Sequence, residues 1–253
     1  MSHASSRRSF LAQLASATPK LEFRTLGKTG LKVTSLSFGC MTTSDMSVIQ
    51  HAADMGIVHF DTARSYQGGN NERMVGAALK GRRKQVVISS KSPGKTKEQL
   101  NADLETSLRE LGTDYLDIWY LHSRNDPSEV NDDMFEVQRA AKQAGKIRFA
   151  GVSTHFNMDG MLTHVTKLGQ TDVVLTTYNF AMRSVAAADN TNRAAAKSDM
   201  TAAIQRARKA GLGIVTMKAL AGGTTRVQRG DRLYGANPES LTAQLKQEGA
   251  PLA

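Results

Sequence analysis

Near-continuous apolar strands that alternate with amphipathic helices predict an α/β fold with a parallel sheet buried on both faces. Polar residues recur at the ends of successive strands, as expected of a (β/α)8 TIM-type barrel, whose sites lie at the carboxyl ends of the strands. A doubly wound sheet would show a glycine-rich turn after its first strand, and Phe38-Gly39-Cys40-Met41 is not such a turn. The sequence therefore predicts a barrel rather than an open sheet.

Strand-like runs of mostly apolar residues recur along the chain, separated by segments with helical spacing. In chain order the strands are expected at Ser35–Phe38, Val58–Thr62, Val86–Lys91, Leu116–His122, Ile147–Ser153, Val173–Thr177 and Gly213–Lys218. Ahead of them, Phe23–Leu26 and Leu31–Thr34 flank Gly27-Lys28-Thr29-Gly30. That pattern predicts a hairpin, which we expect to close the amino-terminal end of the barrel.

The helices are predicted from spacing and from a start signal. Thr96-Lys97-Glu98-Gln99 is typical of a capping box, and four leucines follow it at helical spacing, Leu100, Leu104, Leu108 and Leu111. Two further apolar faces are expected, one of Met74, Val75, Ala78 and Leu79 and one that includes Ile204, Ala207 and Ala210.

No eighth strand is visible after Gly213–Lys218, although a complete barrel typically has about 250 residues. Leu241–Pro251 reads as the start of a seventh helix. We therefore expect residues 21–253 to form a barrel that is incomplete at its carboxyl end. The two unpaired sheet edges of such a barrel would favour association with another chain.

Four polar side chains are expected to meet at the carboxyl end of this barrel. Asp61, Lys91 and His122 each end a strand, and Tyr66 follows Asp61 by five residues. A charged residue at the end of a buried strand is costly unless it faces a cleft. For each residue alone, a surface ion pair or a strand-end charge explains the pattern equally well. Their recurrence at equivalent positions favours a site.

These residue types suit the protonation of a carbonyl oxygen. A tyrosine hydroxyl ordinarily has a pKa near ~10, and a neighbouring ammonium is expected to lower it. Asp61 would hold the ammonium of Lys91 in place, and His122 would donate a hydrogen bond to the oxygen that becomes negative.

Several segments of the chain resemble those of the aldo-keto reductases, in the order in which that family has them. They are Phe60-Asp61-Thr62-Ala63-Arg64-Ser65-Tyr66 with Asn71-Glu72 and Gly76, Ile88-Ser89-Ser90-Lys91, Asp114-Tyr115-Leu116-Asp117 with Leu121-His122-Ser123, Gly145-Lys146-Ile147-Arg148 with Gly151-Val152-Ser153, Tyr178-Asn179, and Met217-Lys218-Ala219-Leu220-Ala221-Gly222-Gly223. One such segment would be weak evidence, but the ordered set is specific.

The resemblance implies that an aldehyde or ketone and its alcohol are interconverted with NADP as the cofactor, or alternatively NAD. Tyr66 would be the proton donor, Asp61 and Lys91 its tuning pair and His122 the orienting partner. Cofactor contacts carried over from the family fall on Ser153, Thr154, Tyr178, Met217, Lys218, Ala219, Leu220, Ala221 and Gly222. The small residues of the last segment would let the backbone approach a phosphate closely.

Three positions depart from the family pattern. Thr154-His155 follows Ser153 where an asparagine is common, and Leu175 stands where a glutamine is usual. Leu175 cannot make the hydrogen bond of that amide. Met217 occupies the place of an aromatic residue, and its thioether can pack against a ring face. These departures leave a second hypothesis open, a dinucleotide-binding regulatory or structural subunit with little or no catalysis.

Residues 1–20 carry a separate signal. Ser6-Arg7-Arg8-Ser9-Phe10-Leu11 resembles the twin-arginine export motif, and Ala15-Ser16-Ala17 would suit a signal-peptidase site. The alternative is a disordered or weakly helical tail. A functional signal would place the protein in the periplasm, and otherwise we expect it in the cytoplasm.

Composition narrows the class of partner. The net charge is +10, but basic residues are scattered among acidic ones and aromatic residues are only 6% of the chain, which argues against nucleic-acid binding. We expect no membrane span, because no later segment approaches about 18 apolar residues. The chain has a single cysteine, Cys40, and its histidines lack the spacing of metal ligands, so we expect no metal site. The expected partner is a small carbonyl compound.

Overall fold

The computed structural model describes residues 21–178 and 200–219. Within them, β1 (Phe23–Thr25) and β2 (Lys32–Thr34) pair as an antiparallel hairpin. Seven further strands form one parallel sheet in chain order: β3 (Phe38–Gly39), β4 (His59–Asp61), β5 (Val87–Ser92), β6 (Leu116–Leu121), β7 (Ile147–Thr154), β8 (Val173–Thr177) and β9 (Gly213–Met217). The predicted α/β barrel architecture is confirmed, as a curled sheet of seven parallel strands.

Helices connect and cover these strands. They are α1 (Met46–Asp54), α2 (Asn70–Ala78), α3 (Lys97–Leu111), α4 (Asp132–Gln143), α5 (Met158–Leu168) and α6 (Met200–Lys209). Short 3-10 helices lie at Gly27–Thr29, Cys40–Thr42, Tyr66–Gly69 and Pro127–Glu129. The apolar faces of the α-helices pack against the outer side of the sheet and form the larger core cluster. Within the described residues, no helix is both long and apolar enough to span a membrane.

Six of the seven predicted barrel strands are confirmed to within one residue, and the first is wrong. The sequence predicts that strand at Ser35–Phe38, but β3 comprises Phe38–Gly39. The backbone N–H of Ser35 still donates to the carbonyl of Glu22 at 2.8 Å, beside the hairpin. The chain therefore joins the parallel sheet only after it has left β2.

The hairpin closes the amino-terminal end of the barrel, as predicted. Leu26 and Val33 are buried in the inner cluster with Ile118 and other strand residues. Gly27 has a φ of +52°, and a Cβ there would lie 2.3 Å from the backbone nitrogen of Gly213, the first residue of β9. Only glycine fits this close approach.

The predicted helix signals are confirmed with two corrections. Thr96 Oγ1 accepts from the N–H of Gln99 at 3.3 Å, but the Gln99 side chain accepts from Lys95 rather than from Thr96. The four predicted leucines of α3 are buried. Ala210 lies beyond the end of α6 and is exposed, so Ala203 rather than Ala210 shares the buried face with Ala207. The expected helix at 241–251 and the export motif lie outside the described residues.

Candidate active site

The parallel register brings the carboxyl ends of neighbouring strands together. Asp61 pairs with Ser89 across β4 and β5, and Lys91 pairs with Tyr120 across β5 and β6. Successive side chains alternate across a strand, so polar residues two apart share one face. His122 follows β6 directly, and its N–H donates to the carbonyl of Ser92 at 2.8 Å.

Lys91 lies at the centre of the site. Its side chain is 1% exposed, and its ammonium contacts three oxygens. Nζ donates to Asp61 Oδ2 at 2.5 Å, to the carbonyl of Thr62 at 2.6 Å and to the Tyr66 hydroxyl at 3.1 Å. Burial opposes the charged form, but the Asp61 carboxylate and the Tyr66 hydroxyl raise the pKa of Lys91 above its ordinary value. The ammonium is therefore charged at neutral pH and is fully coordinated by oxygen.

Tyr66 comes to Lys91 from a tight turn rather than from a strand. It begins the 3-10 helix Tyr66–Gly69, in which Gln67 has a φ of 51°. The amide of Gln67 donates to the carbonyls of Met41 at 3.2 Å and Thr43 at 2.6 Å. These bonds tie the turn to the segment after β3 and fix the approach of the Tyr66 side chain.

The Lys91 ammonium acts to lower the pKa of Tyr66, as expected, but the net shift is upward, so the expected low value is wrong. Burial raises the pKa of Tyr66, and the Lys91 ammonium lowers it only in part because the Asp61 carboxylate shares that charge. Tyr66 therefore keeps its proton at neutral pH. An alkoxide is a much stronger base than a phenolate, so a tyrosine with this pKa remains competent to protonate one.

His122 stands beside Tyr66 as a neutral imidazole. The two ring centroids are 5.8 Å apart with an edge-on angle of 78°, and His122 Nδ1 lies 3.4 Å from Ser65 Oγ. Burial, the Lys91 ammonium and His155 lower the pKa of His122 to about 4. A neutral ring keeps one N–H donor and does not add a second cation near the Tyr66 hydroxyl. The four predicted residues are thus brought together in one cluster.

Ser153 and Thr154 lie at the carboxyl end of β7, next to the loop that follows His122. Ser153 Oγ accepts from the N–H of Ser123 at 2.8 Å, and Thr154 Oγ1 donates to the carbonyl of Phe156 at 2.8 Å. Both side chains are buried, at 1% and 0% exposure. The Ser153 bond joins the carboxyl ends of β6 and β7, whereas the Thr154 bond joins the end of β7 to the segment that follows it.

The other described cofactor candidates lie at the carboxyl ends of β8 and β9. Tyr178 is half-buried, and its hydroxyl lies 3.0 Å from Thr201 Oγ1. Met217 ends β9 and packs against the inner cluster. Lys218 has a φ of 58°, and burial lowers its pKa. Ala219 follows at the end of the described segment, whereas Leu220, Ala221 and Gly222 lie outside the described residues.

Two features at the carboxyl ends of β8 and β9 fit a nicotinamide dinucleotide. Thr177 Oγ1 is buried with no hydrogen-bond partner among the described residues, and alternation places it on the inner side of β8 with Leu175. Lys218 is a half-buried cation without a carboxylate within salt-bridge distance in the described part of the chain. An unused hydroxyl suits an amide, and an unpaired ammonium suits a phosphate. Leu175 itself is 4% exposed in the inner cluster and offers no polar group.

Several residues that form hydrogen bonds at or below the site were not predicted as site residues. His59 and Ser89 lie directly below Asp61 in a buried hydrogen-bonded chain. Asn125 Oδ1 accepts from the N–H groups of His155 at 2.9 Å and Phe156 at 3.0 Å. The spacings His59-x-Asp61 and Ser89-x-Lys91 were available signals, because polar residues two apart in an apolar strand share one face. Asn125 gave no signal, since it lies in a loop.

His155 lies close enough to His122 to lower its pKa. Burial, Lys218 and Lys91 lower the pKa of His155 itself to about 4, which makes it a second neutral imidazole at the rim. Cys40 is fully buried and packs as a small apolar residue, and burial raises the pKa of its thiol to about 12. Among the described residues, no three His, Cys, Asp or Glu side chains are grouped so as to hold a metal ion.

Comparison with known proteins gives consistent results. The chain is 26% identical to L-galactose dehydrogenase of Arabidopsis thaliana over 88% of its own length and 73% of that enzyme. It is 30% identical to the aldo-keto reductase yakc [NADP(+)] of Schizosaccharomyces pombe, over 48% of this chain and 42% of that protein. It spans about half the length of several curated relatives that it matches.

The solved structure of an aldo-keto reductase from Bacillus halodurans, in its holo form, superposes with a TM-score of 0.70 at 25% identity. That match covers 92% of this chain and 78% of the other. The sequence model described as "Aldo/keto reductase family" matches residues 39–248, which include all four clustered side chains and every cofactor candidate. The chain therefore belongs to the aldo/keto reductase family.

Proposed function

We propose that this chain interconverts an aldehyde or ketone and its alcohol, with Tyr66 as the proton donor. The observation that carries this proposal is the triple contact of the Lys91 ammonium with Asp61, Thr62 and Tyr66. A merely structural ion pair would not need a tyrosine hydroxyl at its third position. Family membership gives the class of reaction, an oxidoreduction.

We further propose NADP as the cofactor, with NAD as the alternative. One relative is named for NADP(+), and the Lys218 ammonium suits a phosphate-bearing ligand. Ser153, Thr154, Tyr178, Met217, Lys218 and Ala219 would hold the dinucleotide, with the unpartnered hydroxyl of Thr177 as a further contact. When bound, the cofactor supplies the hydride that reaches the carbonyl carbon.

The residues of the chain would manage the proton. A carbonyl oxygen held between the Tyr66 hydroxyl and the His122 N–H gains negative charge during reduction, and both groups stabilise that charge. Tyr66 then gives its proton to the oxygen, and the Lys91 ammonium, 3.1 Å away, stabilises the phenolate that remains. Asp61 keeps the ammonium in place. In the reverse direction, the same phenolate would accept the proton of the alcohol.

The first test is a fluorescence titration of the 253-residue chain with NADPH and NADH, followed by turnover assays on a panel of aldehydes and ketones. Tyr66→Phe should lower kcat by about 10²- to 10⁴-fold, the range for loss of a general acid. The Kd for NADPH should change little. Unchanged turnover in this variant would remove Tyr66 as the acid.

A second candidate function is a dinucleotide-binding subunit with little catalysis. Leu175 favours it, because its buried side chain cannot hydrogen-bond to a carboxamide. This candidate predicts NADPH binding without turnover of any carbonyl in the panel. A Tyr66→Phe variant that binds as the wild type does would then be uninformative about catalysis, so the wild-type assay decides between the two.

Two further properties are proposals from the sequence. The Ser6-Arg7-Arg8 segment would direct export of the folded chain to the periplasm. Replacing both arginines by lysine should abolish recovery of a tagged protein from the periplasmic fraction. Association through β3 and β9, the outer strands of the described sheet, would appear as a dimer or larger species in light scattering.

A further inference from the structure

A chain of polar side chains runs through the barrel interior below the proposed proton donor. Ser37 Oγ lies 2.8 Å from His59 Nδ1, His59 Nε2 lies 3.1 Å from Ser89 Oγ, and Ser89 Oγ lies 2.6 Å from Asp61 Oδ1. His59 and Ser89 are both 0% exposed. This hydrogen-bonded chain therefore links Ser37, a half-buried residue immediately before β3, with the carboxylate that holds Lys91.

The direction of each hydrogen bond in this chain follows from the carboxylate at its end. An ionised Asp61 can only accept, so the single hydroxyl proton of Ser89 points at Asp61 Oδ1. Ser89 Oγ must then accept from His59, which places the imidazole proton on Nε2. Burial lowers the pKa of His59, so the ring is neutral and Nδ1 accepts from the Ser37 hydroxyl. From Ser37 Oγ to Asp61 Oδ1, each donor in this hydrogen-bonded series therefore faces an acceptor.

This arrangement leaves Asp61 little freedom to rotate. Oδ1 is held by Ser89 at 2.6 Å and Oδ2 by Lys91 at 2.5 Å. Without Ser89, the carboxyl group would have one strong partner in the interior and could turn about its Cβ–Cγ bond. The Lys91 ammonium would follow it, and its distance from the Tyr66 hydroxyl would no longer be fixed. Catalytic geometry is sensitive to displacements of this size.

We propose that His59 and Ser89 are positioning residues that act on the proton donor through Asp61. His59 orients the Ser89 hydroxyl, and that hydroxyl fixes the carboxylate. The inference rests on the proposed function for its kinetic consequence, but it makes a structural claim that is testable without turnover.

Ser89→Ala is the first kinetic test, with Ser90→Ala as its matched control. Ser90 is the next residue of β5, is equally buried, and also donates to a buried carboxylate, Glu72 Oε1, at 2.5 Å. Ser89→Ala should lower kcat by roughly tenfold or more, as expected for loss of a hydrogen bond to a charged group. Ser90→Ala should lower thermal stability but leave kcat within about twofold. Equal kcat in both variants would overturn the proposal.

Variants of His59 test the order of the chain. His59→Gln retains an amide donor that reaches Ser89 and should keep most of the activity, whereas His59→Leu should resemble Ser89→Ala. Because His59 acts only through Ser89, the double variant His59→Leu/Ser89→Ala should be no slower than Ser89→Ala alone. Additive losses would show that the two residues act independently and would contradict the proposed chain.

Two NMR measurements are independent of catalysis. Nitrogen-15 spectra of the wild type should show His59 as the Nε2–H tautomer at neutral pH, with His59→Gln assigning the signal. The carbon-13 ζ resonance of Tyr66, assigned with Tyr66→Phe, should titrate at higher pH in Ser89→Ala than in the wild type or in Ser90→Ala. An Nδ1–H tautomer, or an unmoved Tyr66 titration, would refute the positioning role.

The two proposals fail differently. A wild type without turnover, together with the expected tautomer and Tyr66 shift, would end the proposed reductase function and leave the positioning chain in place. An active wild type with an unmoved Tyr66 resonance in Ser89→Ala would do the opposite.

Discussion

Replacing Lys91 by methionine removes the charge at the centre of the site while keeping a side chain of similar length. The Lys91 side chain is 1% exposed, and its ammonium lies 2.5 Å from Asp61 Oδ2. Breaking a buried ion pair by removing one partner costs about 3–5 kcal/mol. Asp61 is itself 16% exposed and keeps the Ser89 hydroxyl at 2.6 Å. We therefore expect a loss at the lower end, about 3 kcal/mol.

Urea unfolding followed by circular dichroism measures this loss. With a slope of about 2–3 kcal/mol per molar urea, the midpoint should fall by about 1 M or more. The matched control is Lys97→Met. Lys97 contacts two carboxylates, Asp133 at 3.0 Å and Glu136 at 2.8 Å, but is 37% exposed. Its loss should lower the urea midpoint much less, because solvent screens exposed ion pairs.

The pH dependence gives this prediction a sign. The pKa of Lys91 is raised in the folded protein: burial acts against the charge, and Asp61 and Tyr66 more than offset it. The contribution is therefore complete below the unfolded lysine value of about 10.4 and disappears as the pH rises beyond it. The reasoning is refuted if Lys91→Met destabilises no more than Lys97→Met at pH 7, because the pair would then behave as an exposed one.

Two other perturbations have consequences that follow from single observations. Burial is the largest cause that lowers the pKa of His122 and of His155, each to about 4. The folded state therefore binds protons at these rings less readily than the unfolded state does. Stability should decline as the pH falls from about 6.5 towards 4. Each histidine should account for a loss of up to about 3 kcal/mol of stability over this pH range. In thermal unfolding measured against pH, His122→Gln or His155→Gln should make the decline shallower. An unaltered dependence of stability on pH would contradict this. Gly151→Ala should destabilise by about 1–3 kcal/mol, because its Cβ would lie 2.3 Å from the ring of Tyr120, which is fully buried. Gly39→Ala, where a Cβ meets nothing within 4 Å, is the control, and equal stability of the two variants would count against the packing argument.

The strands were predictable because their sequence pattern reflects burial. Val173–Thr177 was predicted with its observed bounds, and β4 to β9 were each placed to within one residue. A strand covered on both faces must be apolar along its length, and that requirement is local. The first barrel strand was misplaced because its start depends on where the hairpin releases the chain, which a short apolar run does not record.

The membership of the candidate cluster was predictable, but its electrostatics were not. Asp61, Tyr66, Lys91 and His122 were identified from strand-end positions and from family motifs. The direction of the pKa shift of Tyr66 depends on how strongly burial disfavours the phenolate, and on how far the Asp61 carboxylate offsets the effect of the Lys91 ammonium. Both depend on distances and solvent exclusion, which the sequence does not state.

By itself, then, the sequence determined the alternation of buried strands and helices, the family to which the chain belongs, and which polar groups would face the carboxyl end of the barrel. Strand burial and side-chain alternation depend on residues that are neighbours in the sequence, so the sequence pattern predicts them. Only the tertiary structure decided that Ser37, His59, Ser89 and Asp61 form one hydrogen-bonded chain. Those residues come from the segment just before β3, from β4 and from β5, and their contacts exist only once the register of these three strands is fixed.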